Sequence, residues 1–517
     1  MKKFIIPLLI LVTILAYANS TQNSFLWDDE DWVLKNSTVK DWHKWPAFFY
    51  QNTIKGARKD SNMYRPLQGI THGIDYLLYN YRTPGHHMSN IFFHSVVAIL
   101  LFLMLKGIFS ERIAFFSALF FAVHPVHTEA VTYISGRADM LSFLFILLAI
   151  ILFEKHLIFS CLSLICALFS KESALIGPVL LILYLFFKNG EIKKDIKRLL
   201  PILCIILIYA ALRLTVLDFS HLIPENEPPA FFYIPFYIRL CTFLKALPVY
   251  FGILLWPIEL HMEREIALSY SMFNLESFMG VLLVIIPTVI ALFLYIKKRS
   301  KIFLFATMWF FIGMFPNSNI FPVNALIYEH WLYIASLGFF LIIAWGLDSL
   351  LKKGRTFKLV SILLALSITI FCIYMTAERN KDWRDPISFY ENTLKYMPDS
   401  PRLHNNLAMA YIDAGRTEDA IREYKETIFY GDYYAQPHYN LSNIYLEKGD
   451  VEAAIKELKR SIEINKDFLY SYEKLAAIYF NQGRIEEVLE LVSFILEREP
   501  ENKIAIEILN RISYDRP

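Results

Sequence analysis

Apolar residues in this chain are gathered into long blocks rather than a fine alternation, which predicts helices instead of strands. A membrane-crossing helix needs about 20 mostly apolar residues. Blocks of that kind centre on residues 4–18, 88–105, 112–126, 138–153, 157–170, 173–187, 198–217, 276–296, 302–316, 331–350 and 357–376. One further stretch, 236–256, carries Arg239 and Lys245, is broken by Pro248 and ends at Trp256-Pro257. From about residue 384 the pattern becomes polar and acquires a 34-residue period. Tyr411, Tyr445 and Tyr479 fall in one register; so do Gly415, Gly449 and Gly483, and Leu407, Leu441 and Leu475. Ala420, Ala454 and Val488 repeat in the same way. That period, with small residues at the close-packing positions, is the tetratricopeptide helix–turn–helix signature. Three repeats are expected over 401–434, 435–468 and 469–502, with Asp385–Pro398 as the second helix of an incomplete preceding unit. The predicted architecture is all-α: a polytopic membrane bundle over 1–376, then a tetratricopeptide (TPR) α-solenoid over 377–517.

Charge orients the bundle. Basic residues collect on the cytoplasmic side of membrane proteins. Lys2-Lys3 places the N-terminus inside, and alternation then places Lys106–Arg112, Glu154–His156 and Lys188–Arg198 inside too. If 236–256 crossed fully, Lys297-Lys298-Arg299 and Lys352-Lys353 would fall outside. Reading it as re-entrant or interfacial returns both clusters to the cytoplasm and leaves about eleven spans. Segments 19–87, 124–139, 170–173, 218–275 and 317–330 then share one external surface, and the repeats lie on the same side, over it. A multi-pass protein of a bacterial inner membrane is expected. The run from Lys2 to Ala18 resembles a secretory signal, but the many later spans favour an uncleaved first helix.

Composition agrees: hydrophobic residues make up 56 % and charged residues 19 %, against about 25 % charged in soluble domains. The net charge of +2 gives no case for nucleic-acid binding. Cys161, Cys166, Cys204, Cys241 and Cys372 lie in or beside apolar blocks without disulfide or metal spacing.

Charged groups at membrane depth are costly and usually mark function. Asp28, Asp29 and Glu30 follow the first span within Phe25-Leu26-Trp27 and Trp32, at the start of a long external loop. A solvated acidic loop is the plainer alternative. His124, His127 and Glu129 could ligate a metal, hydrogen-bond an incoming ligand, or form only a polar turn; Pro125 breaks the helix between the histidines. Arg137 and Lys171 are candidate phosphate-binding cations near one external mouth, with His330 and Arg65 as further members. Glu172, next to Lys171, faces a different way on a helix and needs its own partner, and Asp139 closes the Ser135–Asp139 turn. There is no Gly-rich phosphate loop, nucleophile elbow or paired-cysteine metal motif, which argues against a nucleotide-driven cytoplasmic enzyme.

Taken together, these residues resemble the GT-C superfamily of membrane glycosyltransferases, specifically the transmembrane-and-TPR protein O-mannosyltransferases and their bacterial relatives. The matching elements are Phe25-Leu26-Trp27-Asp28-Asp29 with Asn36, Tyr64-Arg65-Pro66-Leu67, His86 to Asn90 with His94, and His124-Pro125-Val126-His127-Thr128-Glu129-Ala130-Val131. Gly136-Arg137-Ala138-Asp139, Lys171-Glu172 and Tyr328-Glu329-His330-Trp331-Leu332-Tyr333 complete the series before the repeats. The resemblance implies a polyprenyl-phosphate sugar as donor, mannose by analogy, and a Ser or Thr hydroxyl of an extracytoplasmic protein as acceptor. It maps catalysis onto Asp28 and Asp29: Asp28 as base, Asp29 or Glu30 as its partner, Arg137 and Lys171 as phosphate binders, and His124, His127, Glu129 and Asp139 shaping the second turn. Where relatives often carry Glu-Arg, this chain has Glu329-His330. No cofactor or metal is required, although a divalent ion is compatible. The repeats would present the acceptor. A non-enzymatic scaffold, or a glycan or lipid acceptor, are the alternatives.

Overall fold

The computed structural model describes residues 4–190, 193–219, 234–264, 266–321 and 325–514, and every regular element among them is helical. Two compact units emerge, Met1–Ser388 and Phe389–Pro517. The division lies beyond the 376/377 boundary read from the apolar pattern because the last apolar helix runs on to Asp382, and its polar end is built into the first unit.

In that unit, α1 (Ile5–Tyr17) leads to a long polar segment holding a single helical turn at Ser37–Lys40 and then α2 (Pro66–Tyr79). There follow α3 (Thr83–Lys106), α4 (Glu111–Val123), α5 (Arg137–Leu152), α6 (Leu157–Leu168), α7 (Gly177–Asn189) and α8 (Ile196–Arg213). The unit closes with α9 (Phe236–Leu255), α10 (Leu275–Ile296), α11 (Ile302–Met314), α12 (Leu332–Leu351) and α13 (Arg355–Asp382). Ends are set by local chemistry. Ser110 caps α4 by accepting from Ile113 N, proline opens α2, α3 and α7, and Gly190 closes α7 at φ 75°. Gly313 of α11 and Gly338 of α12 meet the other helix where a side chain would clash, so the two backbones pack closely.

Among the described residues, eight helices are long and apolar enough to cross a membrane, or nine if α4 and the following Pro125–Val131 segment, bent by 54°, form one span. The shorter α6 and α11 take their turn in the same back-and-forth path. Two sets of chain ends show this. On one face, Asn19 and Asn23 meet Asn380, Asp29 meets Ser135, Leu67 meets Phe169, and Asn62 meets Arg213. On the other face, Lys188 meets Glu154, Arg198 meets the Phe153 carbonyl, Lys301 meets the Phe187 carbonyl, and Arg112 meets Asp348. The second face carries the basic clusters, the pattern of a cytoplasmic side; Lys2 and Lys3 lie outside the described residues.

The 20 residues of α9 are long and apolar enough to cross, and several of its polar partners come from the face that carries the acidic loop. Arg239 donates to the Asn319 and Ile320 carbonyls, Thr242 accepts from Ser269 N, Lys245 pairs with Glu276, and the Leu254 carbonyl accepts from His124. It also packs against spanning helices, with Gly280 of α10 meeting the Leu244 carbonyl, Phe251 stacked on Phe310 and Trp256 on Phe371.

The second unit holds α14 (Pro401–Asp413) and α15 (Thr417–Tyr430), α16 (Ala435–Glu447) and α17 (Val451–Ile464), α18 (Leu469–Asn481) and α19 (Ile485–Arg498), then α20 (Lys503–Tyr514). Gly415, Gly449 and Gly483 adopt φ of 72°, 80° and 75° just after the first helix of each pair. Only glycine enters that left-handed conformation without strain, so the period is a backbone requirement repeated every 34 residues.

Candidate active site

The acidic turn starts with a strained residue: Trp27 has φ 47°, a left-handed conformation costing a bulky side chain roughly 1–2 kcal/mol. Two adjacent carboxylates with different surroundings follow it. Asp29 is 1 % exposed and locked in place. Its Oδ2 accepts from Leu26 N at 3.0 Å, and its Oδ1 accepts from Ser135 N at 2.8 Å and Ser135 Oγ at 2.5 Å. Burial raises its pKa to about 7 against the opposing pull of the Ser135 and Leu26 hydrogen bonds, and the neighbouring Asp28 charge adds to the rise. Asp28 is exposed. Glu30 turns away to pair with Lys35 at 2.7 Å, with both side chains about half exposed, so it does not partner Asp28 or Asp29.

Beside the turn runs a line of rings. Trp27 stacks on Tyr133 at 6.4 Å, Tyr133 lies 5.5 Å from Trp383, and the Arg379 guanidinium sits 5.8 Å over Trp383. Burial, and after it the Asp28 and Asp29 charges, raise the Tyr133 hydroxyl well above its ordinary pKa. Thr132 donates to Asn380 at 2.7 Å and Asn380 donates to the Ala16 carbonyl, so α1, the Ser135 turn and the end of α13 are tied together behind the acids.

The expected cations divide. Arg137 is wholly buried. Its Nε donates to Asn90 at 2.7 Å, and its Nη2 donates to Asp75 and to the His86 carbonyl. The expectation of an open phosphate binder at a mouth does not match that placement: the guanidinium is committed to a carboxylate inside the protein. Lys171 donates to both oxygens of Asp139 at 2.7 and 2.8 Å and keeps 14 % exposure. Arg65 pairs with Glu172 at 3.1 Å, and Glu172 also accepts from Tyr64 N. His330 is clasped by Glu129, which accepts from its backbone N at 2.9 Å and lies 2.7 Å from its Nδ1.

His124, His127 and Glu129 do not converge as a ligand set. His124 Nε2 donates to the Leu254 carbonyl, His127 packs among Phe121, Tyr333 and Phe340, and Glu129 belongs to His330. Ligand atoms that do converge are those of His72, Asp75 and His86, within 4.8 Å of one another. There Arg137 and Ser89 already engage the Asp75 carboxylate.

Three residues without an assigned role in the pattern reading stand at the centre of the second charged cluster. Glu329, fully buried, accepts from His261 N at 2.7 Å and from Arg264 at 3.1 Å, and lies 3.6 Å from Arg379. Arg379 also pairs with Asp382 at 2.9 Å. Glu329 adjoins the quoted His330. Arg379 follows an apolar block and reads as linker, and Arg264 sits in an unpatterned polar loop, so neither stood out.

Comparison with known proteins agrees with the layout. A TPR repeat model matches residues 442–483. A protein O-mannosyl-transferase of Caenorhabditis elegans is 28 % identical, covering 80 % of this chain and 61 % of its own. Human TMTC3 is 26 % identical, with 81 % and 50 % covered, and human TMTC1 is 24 % identical, with 79 % and 53 %. The chain thus spans half to three-fifths of the length of the curated relatives it matches. An Archaeoglobus fulgidus oligosaccharyltransferase crystal structure aligns with a TM-score of 0.42 and 12 % identity, covering 78 % of this chain and 58 % of that one. The chain is similar to the TMTC protein O-mannosyl-transferases along most of its length.

Proposed function

We propose that this protein is a membrane glycosyltransferase that moves a hexose, mannose by likeness to its relatives, from a polyprenyl phosphate to a Ser or Thr hydroxyl of an extracytoplasmic protein. The observation that carries the reading is the split acidic pair: an exposed Asp28 held in place by a buried, anchored Asp29 on a strained turn. Strain at one residue of a loop otherwise fixed by hydrogen bonds is a mark of functional placement. Asp28 takes the acceptor proton while the hydroxyl oxygen bonds to the anomeric carbon. The bond from that carbon to the phosphate oxygen breaks, and the phosphate leaves with the electron pair. One base suffices, and the anomeric centre inverts.

The departing phosphate needs cations more than it needs an acid. Lys171, His330 and Arg65 remain partly open beside their carboxylates, and Arg264 and Arg379 share Glu329; Arg137, buried on Asp75, is left out of this set. A divalent ion is not needed for these steps. The tetratricopeptide repeats, a fold whose concave side often binds extended peptide, supply the surface for choosing the acceptor.

Intact-mass analysis of extracytoplasmic proteins from cells with and without the gene tests the reading. A hexose-sized gain on Ser or Thr that disappears with the gene is expected. Identical masses, with sugar appearing on a lipid or glycan instead, would remove the protein acceptor.

A further inference from the structure

The three repeats treat one shared position differently. His404, His438 and Tyr472 occupy the fourth place of their repeats, 34 residues apart. Tyr430 stacks on His404 at 5.5 Å and 14°, and Phe494 stacks on Tyr472 at 4.4 Å and 11°. Among the described residues no ring covers His438. The places equivalent to Tyr430 and Phe494 hold Ile464 and Arg460 in the middle repeat. Arg460 is drawn off to Asp432 at 2.7 Å and to Glu463 at 2.9 Å.

A cavity of about 560 Å³ opens beside the uncovered imidazole, a volume typical of ligand sites. Helix α16 supplies its floor, with buried Leu441 and half-buried Tyr445 beside His438, and α15 and α17 supply its walls. The rim is cationic: Lys425 of α15 and Lys456 and Lys459 of α17 line it and are exposed. The two carboxylates of the lining are taken, Glu457 by His438 at 2.6 Å and Glu463 by Arg460. Within the lining, the three lysines are therefore the uncompensated charge. In the third repeat the places of Lys456 and Lys459 hold Glu490 and Ser493. The cations thus accompany the uncovered ring and do not simply repeat with the fold.

We propose that this cavity binds an aromatic side chain flanked by carboxylates, carried on an acidic segment of a partner protein. The ring lies over His438 as Phe494 lies over Tyr472, on the floor of Leu441 and Tyr445, and the carboxylates meet Lys425, Lys456 and Lys459. Offset ring stacking supplies the geometry, and an aromatic anchor in a pocket ringed by polar groups is the usual form of a binding hot spot. Because cations stand on both walls, carboxylates on either side of the ring are accommodated, which a chain provides and a single aromatic acid does not. The site does not rest on the sugar-transfer reading.

Fluorescence anisotropy with the full chain in detergent tests it, using a fluorescein-tagged pentapeptide with a central phenylalanine between aspartates and glutamates. Saturable binding is expected, weakened about tenfold or more when alanine replaces the phenylalanine. No saturable binding, or equal affinity for the two peptides, would overturn the proposal, since charge alone would then account for any attraction. Arg460→Phe puts a ring where the third repeat has Phe494 and should weaken binding about tenfold or more. Hydrogen exchange in α16 and α17 should stay at least as slow as in the wild type, which separates filling of the cavity from loss of the fold; unchanged binding with that protection intact would overturn the proposal. Lys425→Glu combined with Lys456→Glu should weaken binding about tenfold and flatten its salt dependence. Phenylacetate displacing the tagged peptide as effectively as untagged peptide does would contradict a protein partner.

Discussion

The Asp28–Asp29 turn and the Arg137–Asp75 pair stand on the same face of the membrane unit and use their charges in opposite ways. Arg137 and Asp75 are both buried and pair with each other through Arg137 Nη2, with Asn90, Ser89 and the His86 carbonyl taking further bonds. The acidic turn buries one carboxylate and exposes the next, across a residue held at φ 47°. A charge paired inside the protein gives a fixed geometry, whereas a charge exposed beside a fixed partner can meet a substrate. A cation near a membrane mouth in sequence is therefore weak grounds for ligand binding until its partner is known.

Breaking the buried pair should have the largest effect on stability. Arg137→Gln leaves Asp75 as an uncompensated charge, and a loss of about 3–5 kcal/mol is expected, measured by thermal unfolding in detergent. Asp28→Asn should change unfolding by less than about 0.5 kcal/mol, as for a surface substitution. Comparable losses in both would erase the contrast.

Ser135→Ala sharpens it from the other side. It removes the hydroxyl bond to Asp29 Oδ1 but keeps the backbone bond. The expected cost is about 1–3 kcal/mol, from a buried acceptor left less satisfied, together with a further rise in the Asp29 pKa, visible by carbon-detected NMR or infrared titration of the carboxyl.

The pH dependence of stability follows from the same burial. Asp29 is raised from 3.8 to about 7, so the folded state binds the extra proton, and its contribution to stability falls as pH rises from about 4 to about 7. Unfolding midpoints of Asp29→Asn should lack that slope; a slope of the same size in the variant would contradict the assignment.

The smallest effect belongs to the repeats. Burial would lower the pKa of His404 and His438, but hydrogen bonds to Glu423, and to Glu457 and Asp432, raise both. Their stabilisation is complete below the ordinary histidine pKa and is lost as pH climbs through the raised folded values. Hydrogen exchange in α14 and α16 should quicken over that window in the wild type, and His438→Gln should flatten the change in α16 only.

Much of the fold is legible in the chain because its causes are local or periodic. The glycines that close the first helix of each repeat announce a left-handed turn wherever they occur. The basic clusters at 297–299 and 352–353 follow apolar helices and gather on the face where Lys301 meets the Phe187 carbonyl and Lys352 meets Asp348. The site was legible only as a set of residue types. What separates Asp28 from Asp29 is a serine 106 positions away, and what removes Arg137 from a ligand's reach is Asp75, 62 positions away. Arg264 and Arg379 share Glu329 from opposite directions along the chain, and no spacing rule joins them.

The central claim is that exposed Asp28, anchored through Asp29, is the base for sugar transfer. Wild-type protein and Asp28→Asn, reconstituted in vesicles with a polyprenyl-phosphate hexose and a Ser/Thr peptide, test it by intact mass of the peptide. A hexose-sized gain with the wild type, slowed about 10²–10⁴-fold in the variant at unchanged unfolding midpoint, is the predicted result. Equal rates of gain in the two proteins would contradict it.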